Sequence, residues 1–132
     1  MDVQEVERTL KKLQREGGLI GAMVLLAENA LPVAYVFDGS VPPESAEILL
    51  ASVYEIVSGA IEDAFSVAME IMGKGKPRLT EVSINLGSLG ILARKMSRNF
   101  IFGILFSPEK TTWGWAQVLF REYSKFLEEI LA

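Results

Sequence analysis

Two groups of residues in this chain have types and spacings suited to chemistry. The first is Gly73-Lys74-Gly75-Lys76, two lysines set among glycines, a composition found where a loop wraps a phosphate. Such a loop works because a strand delivers the glycines and the N-terminus of the following helix meets the anion with its free N–H groups. Here the order is reversed. A helical stretch precedes the glycines, a strand follows them, and the Gly-x-x-x-x-Gly-Lys-Ser/Thr spacing is missing. The segment therefore reads as a helix C-cap leading into a solvated connector. The second group is acidic. Glu55, Glu62, Asp63 and Glu70, with Ser66 among them, recur at helical spacing and form one stripe. Carboxylates can hold a divalent cation or act as an acid–base pair. Glu55 and Glu62 are two helical turns apart, about 10 Å, too far for one simple site on one helix. The stripe reads as a solvated face open to a partner protein.

The chain contains neither histidine nor cysteine. Imidazole acid–base catalysis, cysteine nucleophiles and disulfides are therefore excluded, and zinc loses its usual ligands. Serine and threonine are plentiful, but none stands in a recognisable triad spacing. The expectation is a protein that is not an enzyme and holds no cofactor or metal. A formal net charge of −4 offers nothing to attract nucleic acid. Two basic clusters, Lys74, Lys76, Arg78 and Arg94, Lys95, Arg98, read as charges that discourage unwanted strand pairing. Trp113 fits the buried spacing of the last helix, whereas Trp115 does not and reads as partly packed against the helix start.

The elements that must position these residues are marked by periodicity and punctuation. Asp2 and Glu5 have capping-box spacing, and Val3, Val6, Leu10 and Leu13 then recur at three and four, which predicts an amphipathic helix ending at Gly17-Gly18. Leu19 to Leu26 is apolar throughout, as in a strand covered on both faces. Pro32 to Phe37 predicts a second strand. Its proline cannot donate to a ladder, which places it at a sheet edge. Leu79 to Leu86 alternates, with Thr80, Val82, Ile84 and Leu86 on one face and Glu81, Ser83 and Asn85 on the other. Leu89 to Met96 and Phe100 to Phe106 complete the strands. A last helix follows, with Trp113, Ala116, Leu119, Phe120, Tyr123, Phe126, Leu127, Ile130 and Leu131 on its buried side. The order α-β-β-α-β-β-β-α over residues 1–132 predicts a single α+β domain in three α/β/α layers. All-apolar strands belong at the centre and the proline-bearing and half-polar strands at the edges, so the antiparallel sheet order is 2-1-5-4-3.

Between the second and third strands one long helix is expected, from Pro42-Pro43 to Met72, and it is too apolar for an ordinary surface helix. A surface helix buries one stripe and solvates the rest. This one keeps apolar surface in reserve, in a chain that is 50% hydrophobic. A second copy of the chain is the simplest cover. The N-terminus is charged and lacks the apolar core of a signal peptide, and no uncharged apolar run reaches the ~18 residues of a membrane helix. The expected setting is cytoplasmic, without direct membrane insertion.

The whole chain resembles the Roadblock / dynein light chain family, a profilin-like α/β sandwich. Gly21-Ala22-Met23-Val24-Leu25-Leu26 followed by Leu31-Pro32-Val33-Ala34 looks like its first hairpin, although Glu28-Asn29-Ala30 stands where the family often has Asp-Gly. Ala46 to Met69 looks like its central helix, and Glu81-Val82-Ser83-Ile84 like its third strand. Phe102-Gly103-Ile104-Leu105-Phe106, a polar loop and Trp113-Gly114-Trp115 look like its last strand entering its last helix. The resemblance implies a homodimer in which two third strands pair antiparallel and two central helices pack together. Val53, Val57, Ala60, Ile61, Ala64, Thr80, Val82 and Ile84 would then form the dimer interface. Glu55, Glu62, Asp63, Ser66 and Glu70 would remain for a third molecule. It further implies a non-catalytic interaction module of the kind that regulates or scaffolds small Ras-like GTPases. The alternative is a small-molecule sensor of profilin- or PAS-like type, whose sign would be an apolar pocket inside one protomer.

Overall fold

The computed structural model describes residues 1–73 and 81–132, apart from the side chains of Ala60, Ile61, Glu62 and Phe65. Helix α1 (Val3–Gly17) starts where the capping signal placed it, with the Asp2 carboxylate accepting from the N–H groups of Gln4 and Glu5. It stops at Gly18, which takes the left-handed conformation that glycine adopts without strain. The strands β1 (Gly21–Leu26) and β2 (Pro32–Phe37) form an antiparallel hairpin. Its turn is closed by the Asn29 side chain, which accepts from the N–H of Leu31, and by Ala30 with φ +65°. Helices α2 (Pro43–Ser58) and α3 (Ala60–Met72) follow, then β3 (Val82–Asn85), β4 (Gly90–Met96), β5 (Phe100–Phe106) and α4 (Trp113–Leu131).

All five strands pair antiparallel in the order β2-β1-β5-β4-β3, as the strand chemistry predicted. Every residue of β5 is buried, which suits its place at the centre. The sheet is covered on both faces. On one, α1 and α4 build a core with Leu92, Phe102, Ile104 and Phe106, in which the Phe102 and Phe120 rings stack at 4.7 Å. On the other, α2 lies over Met23, Leu25, Ile91, Ala93, Ile101 and Leu105. The architecture is the expected α/β/α sandwich.

Three local features depart from the expectation. The long helix is two helices, interrupted at Gly59. There φ is −98° and ψ −118°, and a Cβ would lie 2.8 Å from the Glu55 carbonyl oxygen, so the bend requires the missing side chain. Phe126, expected on the buried side of α4, is 49% exposed, because the buried face is centred on Phe120, Leu127 and Leu131. Strand β1 begins at Gly21, two residues late, although Leu19 is fully buried. The expected start of the third strand, Leu79 and Thr80, lies outside the described residues, as do Lys74, Gly75, Lys76 and Arg78 of the glycine-lysine and basic segments. Gly73, the first residue of that segment, caps α3 in the left-handed conformation, as a C-cap should.

Candidate interaction surface

Helix α2 meets the sheet through Ala46, Leu50, Val53 and Val57, spaced four, three and four apart. The fit is set by a notch in the central strand. Gly103 of β5 has no side chain, and a Cβ there would stand 2.7 Å from Val53 Cγ1. Val53 fills that space and fixes how α2 sits on the sheet. Val53 and Val57 are both fully buried inside the protomer. Their expected place on a dimer surface is therefore corrected. An apolar helix offers two stripes, and the Gly103 notch selects this one for the sheet.

Beyond Gly59 the environment changes. Among the described residues, α3 adjoins α2 at the bend and makes no comparable contact to any strand. Its Ala64, Val67 and Ile71 follow one another at three and four, so they share one helical face. That face is open: Val67 is 54% and Ile71 80% exposed, and Ala64 and Met72 are exposed beside them. Asp63, Ser66 and Glu70 run along the flank of this stripe, all exposed. Glu55 is exposed on the outer face of α2, near Ile48, which is 67% exposed. Four of the five expected partner-contacting residues thus reach the outer surface of the α2–α3 layer. The fifth, Glu62, has its side chain outside the described set, as have Ala60 and Ile61 of the expected dimer interface.

The second open feature is a strand edge. β3 pairs with β4 along one side, and no described strand pairs with its other side. Val82 and Ile84 are half-buried, and Ile84 packs into the core beneath α2, while Ser83 and Asn85 face the opposite, wetter side. Unpaired N–H and C=O groups along such an edge are a template for another strand. At the start of β3 the Glu81 carboxylate receives a hydrogen bond and ion pair from Arg121 of α4 at 3.1 Å. This tethers the edge strand to the opposite helical layer.

Among the described residues no group of three acidic side chains is placed to hold a metal ion. Among them, too, no helix is long and apolar enough to cross a membrane. Two cavities formed by described residues, of about 660 and 320 Å³, are lined largely by residues with charged side chains. Of the described groups, the one most shifted from its ordinary ionisation is Tyr123 on α4. Its phenol is held protonated well above its usual range, first by burial and then by its hydrogen bond to Glu16. The arrangement can offer shape, apolar area and an unpaired strand edge to another protein.

No protein-family model and no curated protein sequence matches the chain. Solved structures do match it in three dimensions. The gliding protein MglB from Thermus thermophilus superposes with a TM-score of 0.75 at 16% identity, over 97% of this chain and 89% of that one. A Roadblock/LC7 domain from Streptomyces avermitilis gives 0.67 at 19% identity, over 95% and 96%. Profilin II from Acanthamoeba castellanii gives 0.53 at 17% identity, over 99% and 100%. The likeness covers nearly the whole of each chain, and at these identities it is a likeness of fold. The chain has the Roadblock/LC7 fold, a profilin-like α+β sandwich.

Proposed function

We propose that this protein is a non-catalytic homodimeric platform that regulates or scaffolds a small Ras-like GTPase. The observation that carries the dimer is the exposed stripe Ala64, Val67 and Ile71 on a helix its own sheet does not cover. Burying an Ile or Val side chain is worth about 1.5–3 kcal/mol. The large exposed side chains of two α3 stripes together supply on the order of 5–10 kcal/mol, against association costs of about 4–15 kcal/mol. The helix contact alone is therefore marginal. Antiparallel pairing of two β3 edges supplies the rest and sets the register. Val82, Ile84 and Ala64 lie in that interface, as do Ala60, Ile61 and Thr80 in this reading. The fold it shares with MglB and Roadblock/LC7 domains supports the partner class.

In the dimer, Glu55, Glu62, Asp63, Ser66 and Glu70 border the joined helices and meet the GTPase. The protein acts by surface recognition. It repositions the GTPase's own catalytic groups and inserts no group in trans. Sedimentation of the full chain at micromolar concentration should show a species of twice the 14.6 kDa protomer mass. A protomer-only result ends the dimer reading. Binding of purified small GTPases in GDP and GTP-analogue forms should favour one nucleotide state. Equal binding in both forms ends the regulatory reading in favour of scaffolding, and absent binding in both ends the GTPase reading and leaves the dimer standing.

A further inference from the structure

The face opposite to α2 carries a feature that the proposed platform does not use. Arg8, Lys11, Lys12 and Arg15 are all exposed on α1. At 3.6 residues per turn they fall within about 100° of arc and about 10 Å of helix length, a continuous basic row. The row forms one wall of a groove of about 660 Å³ whose other wall is α4. Tyr123, only 4% exposed, lies at its floor, and its hydroxyl donates to the Glu16 carboxylate. Phe126 stands edge-on to Tyr123 with ring centres 5.8 Å apart and is 49% exposed. A large aromatic side chain is thus open to solvent beside four cations. Lys11 is partly engaged by Glu7 at 3.0 Å, but both are about half exposed, so that pair competes weakly with a ligand.

We propose that the α1–α4 groove docks an acidic amphipathic helix of a partner protein. The lining carries four positive side chains against Glu16 and Glu122, an excess of two positive charges in a chain whose net charge is −4. This local reversal of sign selects an acidic ligand. The groove is concave and holds carboxylates, so a flat anionic bilayer fits it poorly. A helix fits, since carboxylates two turns apart on it span the same ~10 Å as Arg8 to Arg15. Arginine forks at each end suit carboxylates. An apolar residue midway between those carboxylates would seat on Phe126, the anchor such grooves use. The proposal is independent of the dimer and GTPase readings.

The test uses the full chain and two fluorescent helix-forming peptides. One carries Glu at i, i+3 and i+7 with Leu at i+4, and the other has Lys in place of each Glu. The acidic peptide should bind, shift the Tyr123 and Phe126 ring resonances, and lose about tenfold in affinity between low and 0.3 M salt. The double variant Arg8→Glu/Lys12→Glu should weaken binding about tenfold, and Phe126→Ala should weaken it several-fold, with circular dichroism and sedimented mass unchanged. Absent binding of the acidic peptide, equal binding of the lysine peptide, or indifference to the double variant would overturn the proposal. So would capture by phosphatidylserine vesicles with the acidic peptide left unbound. Salt-sensitive growth of the assembly through the acidic outer face of α2, abolished by the double variant, would assign the groove to a second copy and overturn it equally.

Discussion

The two helical layers of this sandwich solve different problems. The α1–α4 layer is settled within the protomer. Val6, Leu10 and Leu13 of α1 and Leu119, Phe120 and Leu127 of α4 are essentially inaccessible. A buried polar tie locks the layer to its loop, Thr111 Oγ1 donating to the Gly17 carbonyl at 2.7 Å, and within α4 the buried Ser124 Oγ is satisfied by the Phe120 carbonyl. The opposite layer is settled only in its first half. α2 is seated by Val53 in the Gly103 notch, while α3 leaves Val67 and Ile71 in water. The buried stripe of α2 and the exposed apolar stripe of α3 are thus separated by one glycine. Stability measurements should distinguish these regions, because a change in the α1–α4 layer or in α2 acts on folding, whereas a change in α3 acts on assembly in the proposed dimer.

The largest expected effect is in the α1–α4 layer. Phe120→Ala removes a ring stacked on Phe102 and should cost about 3–5 kcal/mol in denaturant unfolding. Gly103→Ala should cost about 1–3 kcal/mol, since the new methyl meets Val53 at 2.7 Å. Adding Val53→Ala should recover part of that loss, and a strictly additive double variant would show that the notch does not seat α2. Thr111→Val leaves the Gly17 carbonyl without its buried donor and should cost about 1–3 kcal/mol. Tyr123 adds a pH dependence of known sign. Its folded-state ionisation lies above the unfolded value of 10.0. Its contribution is therefore complete below that pH and is lost as pH rises further. Tyr123→Phe should remove this alkaline component. Smallest in stability is Ile71→Glu, with about 0.5 kcal/mol or less on protomer unfolding, yet it should halve the sedimented mass. An unchanged mass would remove α3 from the interface.

The strand order was legible because each strand carries its own address. A continuous apolar run marks β1 and β5 as doubly covered, Pro32 marks β2 as an edge, and the alternation around Val82 and Ile84 marks β3 as half-solvated. The helix break was not legible. A glycine inside an apolar helix costs about 1 kcal/mol and is often tolerated, so Gly59 alone does not announce a bend. The facing of α2 was hidden for a related reason. Val53 and Val57 belong to an apolar set large enough for two partners, and the choice depends on Gly103, far along the chain. Phe126 shares helical spacing with Tyr123 and Ile130, but sits on the flank of the buried arc. The basic row of α1 was present in the spacing of Arg8, Lys11, Lys12 and Arg15. The apolar periodicity of the same helix marks only its other side.

The bend at Gly59 also bears on how such a chain can change over time. A continuous helix would make every outward substitution in α3 tug on the register of α2 over the sheet. With the backbone turned at Gly59, residues 60–72 are released from that register, while residues 43–58 stay tied to the sheet. Duplicated copies of the gene could diverge in the second helix and acquire different binding preferences while inheriting an unaltered scaffold.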